Sequence, residues 1–172
     1  MRAKTLIALS LIAASTVSLS GCGREHGPVA EKNQQSAAYD LSAASNKRFL
    51  ADNAKKPGVI VRADGLQYRI IASGHGATPT KVDDVVTVTY KGSLINGKVF
   101  DQTQPGQTAS FPAGRLIPGW VEALSLMKEG DEWELVIPAE LGYGSQGAGD
   151  AIPPDQTLVF DMHLIAVKPA QP

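Results

Sequence analysis

A change of hydrophobic periodicity at Gly65 constrains the fold of this chain more than any other feature of its sequence. After Gly65, apolar and polar residues alternate over residues 66–70, 85–90, 132–137 and 158–165. Alternation with a period of two is typical of β-strands that bury one face. Asn96-Gly97 stands between apolar residues in LINGKVF, which predicts a hairpin turn and a further strand. We therefore expect an antiparallel sheet of about five strands.

One helical pattern interrupts these strands, in the segment LIPGWVEALSLMKEG. Its apolar residues recur at the spacing of an amphipathic helix: Trp120, Ala123, Leu124 and Met127. We predict a helix of about ten residues that opens at Trp120, just after Pro118-Gly119, and stops at Gly130. Such a stripe is more often a core anchor than a ligand-binding surface, so the pattern alone leaves the role of Trp120 open. One helix packed on an antiparallel sheet is an α+β fold.

The N-terminus has the pattern of an export signal. Arg2 and Lys4 precede an apolar stretch that carries no charge until Arg24 and is too short for a comfortable membrane span. We assign residues 1–21 to a signal peptide. Cys22 is the only cysteine, and an exported chain seldom leaves a thiol unpaired at its terminus. Leu19-Ser20-Gly21-Cys22 resembles the bacterial lipobox, which implies lipidation of Cys22; a free thiol is the alternative.

The remaining chain divides into four predicted parts. Residues 22–35 are polar with Gly and Pro, which suits a flexible tether. Residues 36–64 form a helical arm and linker, in which residues 36–56 are rich in helix formers but have a thin apolar face, so that the helix alone would be marginal. Residues 65–168 form the folded domain, and residues 169–172 are a tail.

Composition and spacing exclude several classes of function. A formal net charge of -1 gives no sign of a nucleic-acid binder. GYGSQG at residues 142–147 matches the dinucleotide fingerprint, but Pro153-Pro154 forbid the helix that must follow it. The three histidines, His26, His75 and His163, are far apart, so we predict no metal site and no cofactor.

Four separate motifs, in order, resemble the FKBP-type peptidyl-prolyl isomerases. They are VTVTYKGSLINGKVFDQT, LIPGWVEALSLMKEGDEWELVIP, LGYG and IPPDQTLVFDMHL. FLADNAKKPGV and GLQYRII extend the resemblance to the bacterial exported lipoproteins close to the macrophage infectivity potentiators. The resemblance implies a half-barrel of antiparallel strands wrapped on one short helix, with a pocket between them.

The same resemblance implies a role for each residue of that pocket. Trp120 would form the floor on which the proline ring of the substrate lies. The other residues implied to be catalytic are Tyr90, Phe100, Asp101, Ile117, Tyr143 and Phe160. Among these, Asp101, Tyr143 and the backbone N–H of Ile117 would be the polar groups near the substrate carbonyls. Leu116, Phe111 and Ile152 would contact the substrate at the wall and rim.

By this resemblance the chain is a prolyl isomerase that assists the folding of exported, proline-containing polypeptides. The alternative is a non-catalytic lipoprotein that recognises proline as a binding protein or chaperone; Asp101 and Tyr143 favour the enzyme, because capture needs only apolar walls. Small residues at Ala109, Ala148 and Ala151 imply reduced affinity for macrolide inhibitors. The short arm predicts a monomer. Gly23 follows the lipobox-like cysteine where aspartate would favour inner-membrane retention, so that resemblance implies an outer-membrane anchor facing the periplasm, with exposure at the cell surface as the alternative.

Overall fold

The computed structural model describes residues 39–170. The predicted signal peptide, the lipidation site Cys22, the tether and the first residues of the arm, 36–38, lie outside this range, as do residues 171–172 of the tail. No helix within the described range is long and apolar enough to cross a bilayer.

The described chain contains two α-helices and seven strands. The helices are α1 (Ala43–Asn53) and α2 (Pro118–Leu126). The strands are β1 (Val59–Val61), β2 (Gln67–Ala72), β3 (Val85–Leu94), β4 (Val99–Gln102), β5 (Ala109–Pro112), β6 (Glu132–Ile137) and β7 (Leu158–Lys168). Two single-turn 3-10 helices, Ala139–Leu141 and Gly144–Gln146, lie between β6 and β7.

All seven strands join one antiparallel sheet in the order β1-β2-β6-β7-β3-β4, with β5 also paired to β3. The predicted α+β class and antiparallel sheet are confirmed. The expected number of about five strands is too low because β1 and β5 were not foreseen. These strands have three and four residues, which is too few for alternation to stand out in the sequence.

The core lies between α2 and one face of the sheet, which we call the concave face. The predicted helical stripe is confirmed, since Trp120, Ala123, Leu124 and Met127 are all buried. Alternate residues of β7 face them from the sheet, namely Leu158, Phe160, Met162 and Leu164. Because side chains alternate between the faces of a strand, the residues between these four point to the opposite, outer face.

The predicted ends of α2 need correction. The helix begins at Pro118, two residues before Trp120, because a proline is well tolerated in the first turn, where its missing N–H would have no helical partner. It ends at Leu126, and Met127 already has an extended backbone. Gly130 has a φ of 91° and belongs to the turn into β6 rather than to the helix end. Trp120 therefore lies within the first turn of the helix, with helical residues both before and after it in the sequence.

Helix α1 packs on the outer face of the sheet through polar side chains. Ser42 caps the helix by accepting a hydrogen bond from the backbone N–H of Ser45 at 3.2 Å. Asn46 and Asn53 are buried, and the side-chain amide of Asn53 donates to Gln67 of β2 at 2.8 Å. Buried amides thus replace the apolar face that the sequence of the arm lacks.

Candidate active site

A cavity of about 400 Å³ lies between the concave face and the N-terminal end of α2. Its ten lining residues are Tyr90, Phe100, Asp101, Phe111, Arg115, Leu116, Ile117, Trp120, Tyr143 and Phe160. Nine of them are predicted site residues. The structure thus brings together residues from β3, β4, β5, α2, β7 and the loop before β7.

Trp120 closes the bottom of this cavity. Its ring meets those of Tyr90 and Phe160 edge to face, with centroid separations of 5.1 Å in both cases. Phe111 approaches the indole in the same way at 6.3 Å. Edge-to-face contacts of this kind are favourable beyond the apolar area that they bury. The indole is 5% exposed, so Trp120 is both a core residue and the cavity floor.

Gly92 allows the aromatic wall on β3, β4 and β7 to form. Phe100 and Phe160 meet edge to face with centroids 5.5 Å apart. A Cβ atom at Gly92 would lie 2.7 Å from both rings. Any larger residue would therefore push at least one ring out of place. Sequence reasoning missed Gly92, because a lone glycine in a strand shows only that something approaches closely, without showing what.

Tyr90 and Asp101 form the polar pair of the cavity. The phenol of Tyr90 donates to Oδ2 of Asp101 at 2.6 Å. Burial raises the pKa of Tyr90 above its ordinary value, and the hydrogen bond to Asp101 and the charge of that carboxylate raise it further. Tyr90 consequently remains protonated across neutral pH, and as a permanent donor it fixes the position of the carboxylate.

Ile117 lies at the start of α2 and lines the same cavity. It is the N-cap of the helix, and its carbonyl accepts from the N–H groups of Trp120 and Val121 at 2.9 and 3.1 Å. The N–H groups at this end of a helix carry partial positive charge. That the N–H of Ile117 donates to a substrate carbonyl stays a prediction.

Arg115 is the one cation among the ten lining residues of the cavity. No pattern in the sequence predicts its place there. Its side chain is exposed, and no ion pair is formed by it within residues 39–170. An exposed residue outside any periodic pattern cannot be recognised from one sequence. Arg115 adds a positive charge to a rim that otherwise carries only the carboxylate of Asp101.

The loop between β6 and β7 supplies Tyr143, which is 41% exposed at the cavity edge. Ile152, predicted to contact the substrate from the rim, is 4% exposed and packs into the core instead. Its backbone pairs with Ala148 through two hydrogen bonds of 2.8 and 3.2 Å. The resemblance implied a rim contact for Ile152, but the loop folds back on itself here, and the side chain of Ile152 supports the loop from beneath.

A larger groove of about 610 Å³ lies on the outer face of the same strands. Its charged side chains neutralise one another across the strands. Arg69 pairs with Glu134 at 3.3 Å, His163 lies 3.6 Å from Glu132, and Lys91 is the register partner of Asp161. No group of three or more potential metal ligands occurs within residues 39–170. Tyr90 and Trp133 also border this groove, whereas the rings of Phe100, Phe111, Trp120 and Phe160 line the concave cavity.

The sequence profile of the FKBP-type peptidyl-prolyl cis-trans isomerases matches residues 76–165, which include all ten residues that line the cavity. The chain belongs to this family. A second profile, the domain amino-terminal to FKBP-type peptidyl-prolyl isomerase, matches residues 24–70 and so covers α1 and β1 of this FKBP.

Named relatives of this FKBP include a bacterial outer membrane protein and bacterial peptidyl-prolyl isomerases. The outer membrane protein MIP of Legionella longbeachae is 48% identical over 142 residues, which are 80% of this chain and 60% of the relative. The FKBP-type 22 kDa peptidyl-prolyl cis-trans isomerase of Escherichia coli is 48% identical over 75% of this chain and 63% of its own length. The chain thus spans less than two thirds of the length of these relatives.

Solved structures agree with the fold. FkpA from Escherichia coli is 43% identical and superimposes with a TM-score of 0.71 over 83% of this chain and 65% of its own. A peptidyl-prolyl cis-trans isomerase from Pseudomonas syringae pv. tomato, 40% identical, gives a TM-score of 0.68 over 73% of this chain and 92% of its own. The half-barrel wrapped on a short helix, expected from the motifs, is confirmed.

Proposed function

We propose that this protein catalyses the cis-trans isomerisation of peptide bonds that precede proline. The observation that carries the proposal is a cavity floored by Trp120, walled by aromatic rings and holding one fixed carboxylate, in a chain of the FKBP family. An aromatic cavity of this kind accepts a proline ring, and its few polar groups can orient the adjacent amide.

The proposed mechanism needs no nucleophile, because rotation about the amide makes and breaks no bond. The barrier is about 20 kcal/mol, since the planar amide loses its resonance as it twists. Resonance places partial negative charge on the carbonyl oxygen, and water stabilises that charge in the planar state. An apolar cavity withdraws this solvation and so favours the twisted state selectively. Turnover of about 10 to 1000 per second requires a barrier lowered by roughly 4 to 7 kcal/mol.

The polar groups of the cavity have distinct proposed roles. The phenol of Tyr143 and the N–H of Ile117 donate to substrate carbonyls and hold the peptide while one amide turns. Asp101, fixed by Tyr90, places negative charge beside the twisted amide, where loss of resonance makes the carbonyl carbon more electron-poor. When a bound peptide covers the cavity and displaces its water, each effect becomes larger than in solution.

A protease-coupled assay with a proline-containing chromogenic peptide tests the activity. We expect the purified protein to accelerate the slow phase that reports the cis population, in proportion to enzyme concentration. Binding of the same peptide, measured separately by quenching of tryptophan fluorescence, separates the alternatives. Saturable binding without acceleration would identify a proline-recognising binding protein or chaperone and would refute the enzyme.

We further propose that the protein is exported, anchored through lipid on Cys22 to the outer membrane, and faces the periplasm, where it acts as a monomer on unfolded exported chains. Support comes from the lipobox-like sequence and from a relative that is itself an outer membrane protein. Cys22→Ser should release the protein from the membrane fraction and abolish incorporation of labelled palmitate. Small residues at Ala109, Ala148 and Ala151 support weaker binding of bulky macrolides than in family members with larger rim residues.

A further inference from the structure

Asn46 of α1 contacts the chain at the point where the loop before β7 becomes the strand. We call residues 142–155 the rim loop, since they carry Tyr143. The side-chain oxygen of Asn46 accepts from the backbone N–H of Thr157 at 2.8 Å, and its nitrogen donates to Oε1 of Gln156 at 3.2 Å. Asn46 is 5% exposed, so these bonds form away from water. One buried amide of the arm thus holds the end of the rim loop.

Gln156 extends this contact in both directions. Its side-chain nitrogen donates to the carbonyl of Pro154 within the rim loop at 2.9 Å and to the carbonyl of Leu41, just before α1, at 3.2 Å. Gln156 is buried as well. The two amides together form a network that joins the arm to Pro154, Gln156 and Thr157, around the end of the rim loop, and the nitrogen of Asn46 also donates to the carbonyl of Ser42 within the arm. Buried networks of this kind are stable only while every member has its partners.

The rim loop transmits this restraint to Tyr143 because the loop is closed on itself. The N–H of Asp155 donates to the carbonyl of Gly144 at 2.9 Å, which ties the end of the loop to the residue after Tyr143. Ala148 and Ile152 pair in the middle. A Cβ atom at Gly147 would collide with the carbonyl oxygen of Ile152, so the two halves lie in close contact. A shift at residues 155–157 must therefore move Tyr143.

We propose that Asn46 is a positioning residue for the active site: it holds the base of the rim loop so that Tyr143 faces the cavity. The inference rests on the proposed isomerase function and assigns a part of it to the arm. Loss of the Asn46 side chain removes a hydrogen-bond partner from the backbone N–H of Thr157 and from the side-chain oxygen Oε1 of Gln156, both in a buried place. The loop end then moves toward solvent to recover hydrogen bonds, and Tyr143 moves with it.

Asn53 provides a matched control on the same helix. It lies seven positions, about two turns, beyond Asn46, so the two side chains share one face of α1. Asn53 is also buried, at 3% exposure, and also donates to a buried glutamine, Gln67, at 2.8 Å. Gln67, however, belongs to β2 and in turn donates to the carbonyl of Leu50 in α1. Asn53 therefore fastens the arm to the sheet without touching the rim loop.

The test compares Asn46→Ala and Asn53→Ala in the otherwise unchanged protein, at a temperature at which both are folded by circular dichroism. We expect a similar fall in the denaturation midpoint for both. Asn46→Ala alone should lower kcat/KM by about fivefold to tenfold, the size of one or two hydrogen bonds. It alone should also accelerate hydrogen exchange at the N–H groups of Ala148, Asp155 and Thr157.

Equal changes of kcat/KM in the two alanine variants would overturn the proposal, because the effect would then follow stability alone. Unchanged kcat/KM together with unchanged rim-loop exchange in Asn46→Ala would overturn it too. Should Asn46→Ala not fold, the same comparison of the smaller polar variants Asn46→Ser and Asn53→Ser decides. If the wild-type protein binds proline peptides but shows no isomerase activity, the proposed function fails by itself; peptide affinity and rim-loop exchange then still decide whether Asn46 positions the loop.

Discussion

The two faces of β3 and β7 carry depressions of opposite character, although they are built from neighbouring residues. On the concave face, Tyr90 and Phe160 wall a cavity of about 400 Å³ whose floor is an indole. On the outer face, Lys91 and Asp161 face each other across the strands in a groove of about 610 Å³. The alternation of a strand thus places a dry aromatic site and a solvated charged surface on the same backbone.

The difference teaches that chemistry identifies the site better than volume does. In the outer groove, opposite charges satisfy one another and remain in contact with water, so such pairs contribute about 0 to 1 kcal/mol and offer little to a ligand. In the cavity, buried rings leave an apolar surface that gains free energy when a proline ring covers it. Substitutions on the two faces should therefore have very different consequences, and each prediction below pairs a cavity residue with a control from the outer face.

The largest effect is expected for Trp120→Ala. Removal of a buried indole should lower the free energy of unfolding by roughly 3 to 5 kcal/mol and abolish isomerase activity, because the floor and a core anchor are lost together. Lys91→Ala, on the outer face of β3, should change stability by no more than about 0.5 kcal/mol. Urea denaturation followed by circular dichroism measures both. Equal losses in the two variants would remove the contrast between the faces.

Gly92→Ala should reduce kcat/KM by about tenfold or more, since a Cβ 2.7 Å from the rings of Phe100 and Phe160 forces the aromatic wall to move. Thr89→Ala, whose side chain lines the outer groove on the same strand, serves as the control and should leave kcat/KM unchanged. The protease-coupled assay gives both values. A fully active Gly92→Ala variant would mean that the wall tolerates displacement and that ring placement is not critical.

The sequence predicted much of this architecture and missed specific parts for physical reasons. The apolar–polar alternation in β7 and the apolar stripe of α2 could be recognised in the sequence, because a pattern that repeats over several residues persists when single positions depart from it. The start of α2 was wrong, because Pro118 was interpreted as a breaker although proline is favourable in a first turn. Ile152 was placed at the rim through the resemblance alone, because a loop that folds back on itself has no periodic signal to show that a side chain is buried.

The candidate site was predictable only through resemblance. Tyr90, Phe111, Trp120 and Phe160 come from four different elements, and no local pattern shows that their rings meet. The same limit explains why Asn46 was missed. Its partners Gln156 and Thr157 are more than one hundred positions away, and the sequence shows only a polar residue in a helix with a thin apolar face.

The polar groups of the cavity should have intermediate effects. Asp101→Ala and Tyr143→Phe should each lower kcat/KM by about tenfold, the size expected for one hydrogen bond that involves a charge or a developing dipole, while the fold persists. Asp161→Asn on the outer face should not change kcat/KM. Steady-state kinetics on variants with matched thermal midpoints measures the effect. If both cavity variants kept full activity, the apolar walls alone would account for catalysis.

Arg115 should produce a smaller, charge-dependent effect. The only cation at the cavity should favour peptides with Glu beside proline over the same peptides with Gln, by about twofold to fivefold at low salt. Arg115→Gln should remove this preference without changing kcat/KM for the Gln peptide. Lys91→Gln, on the outer face, should leave the preference intact. Persistence of the preference in Arg115→Gln, or its independence of salt concentration, would assign it to another group.

The smallest effect is expected from pH. Between about pH 6 and 8, kcat/KM should stay nearly constant for a peptide that does not itself titrate. The pKa of Tyr90 is raised by burial and by Asp101, so the phenol loses its proton only at a pH above its ordinary value. His163, near Glu132, belongs to the outer face. A tenfold step in this window, with folding unchanged, would contradict catalysis by desolvation and require a titrating group.

The pairing of β3 with β7 also determines when the cavity can exist. The two strands are neighbours along their whole length, from Val85 opposite Lys168 to Leu94 opposite Leu158, although most of the domain lies between them in sequence. Contacts between distant segments form slowly, because the entropy cost of closing a long loop comes before the contacts contribute any stability. In a chain synthesised from its N-terminus, α2 and all six of the other described strands are available before β7. Because β7 is the last of these strands to be synthesised, the substrate cavity is complete only after β7 has been made. A partly synthesised chain therefore folds without help from its own cavity.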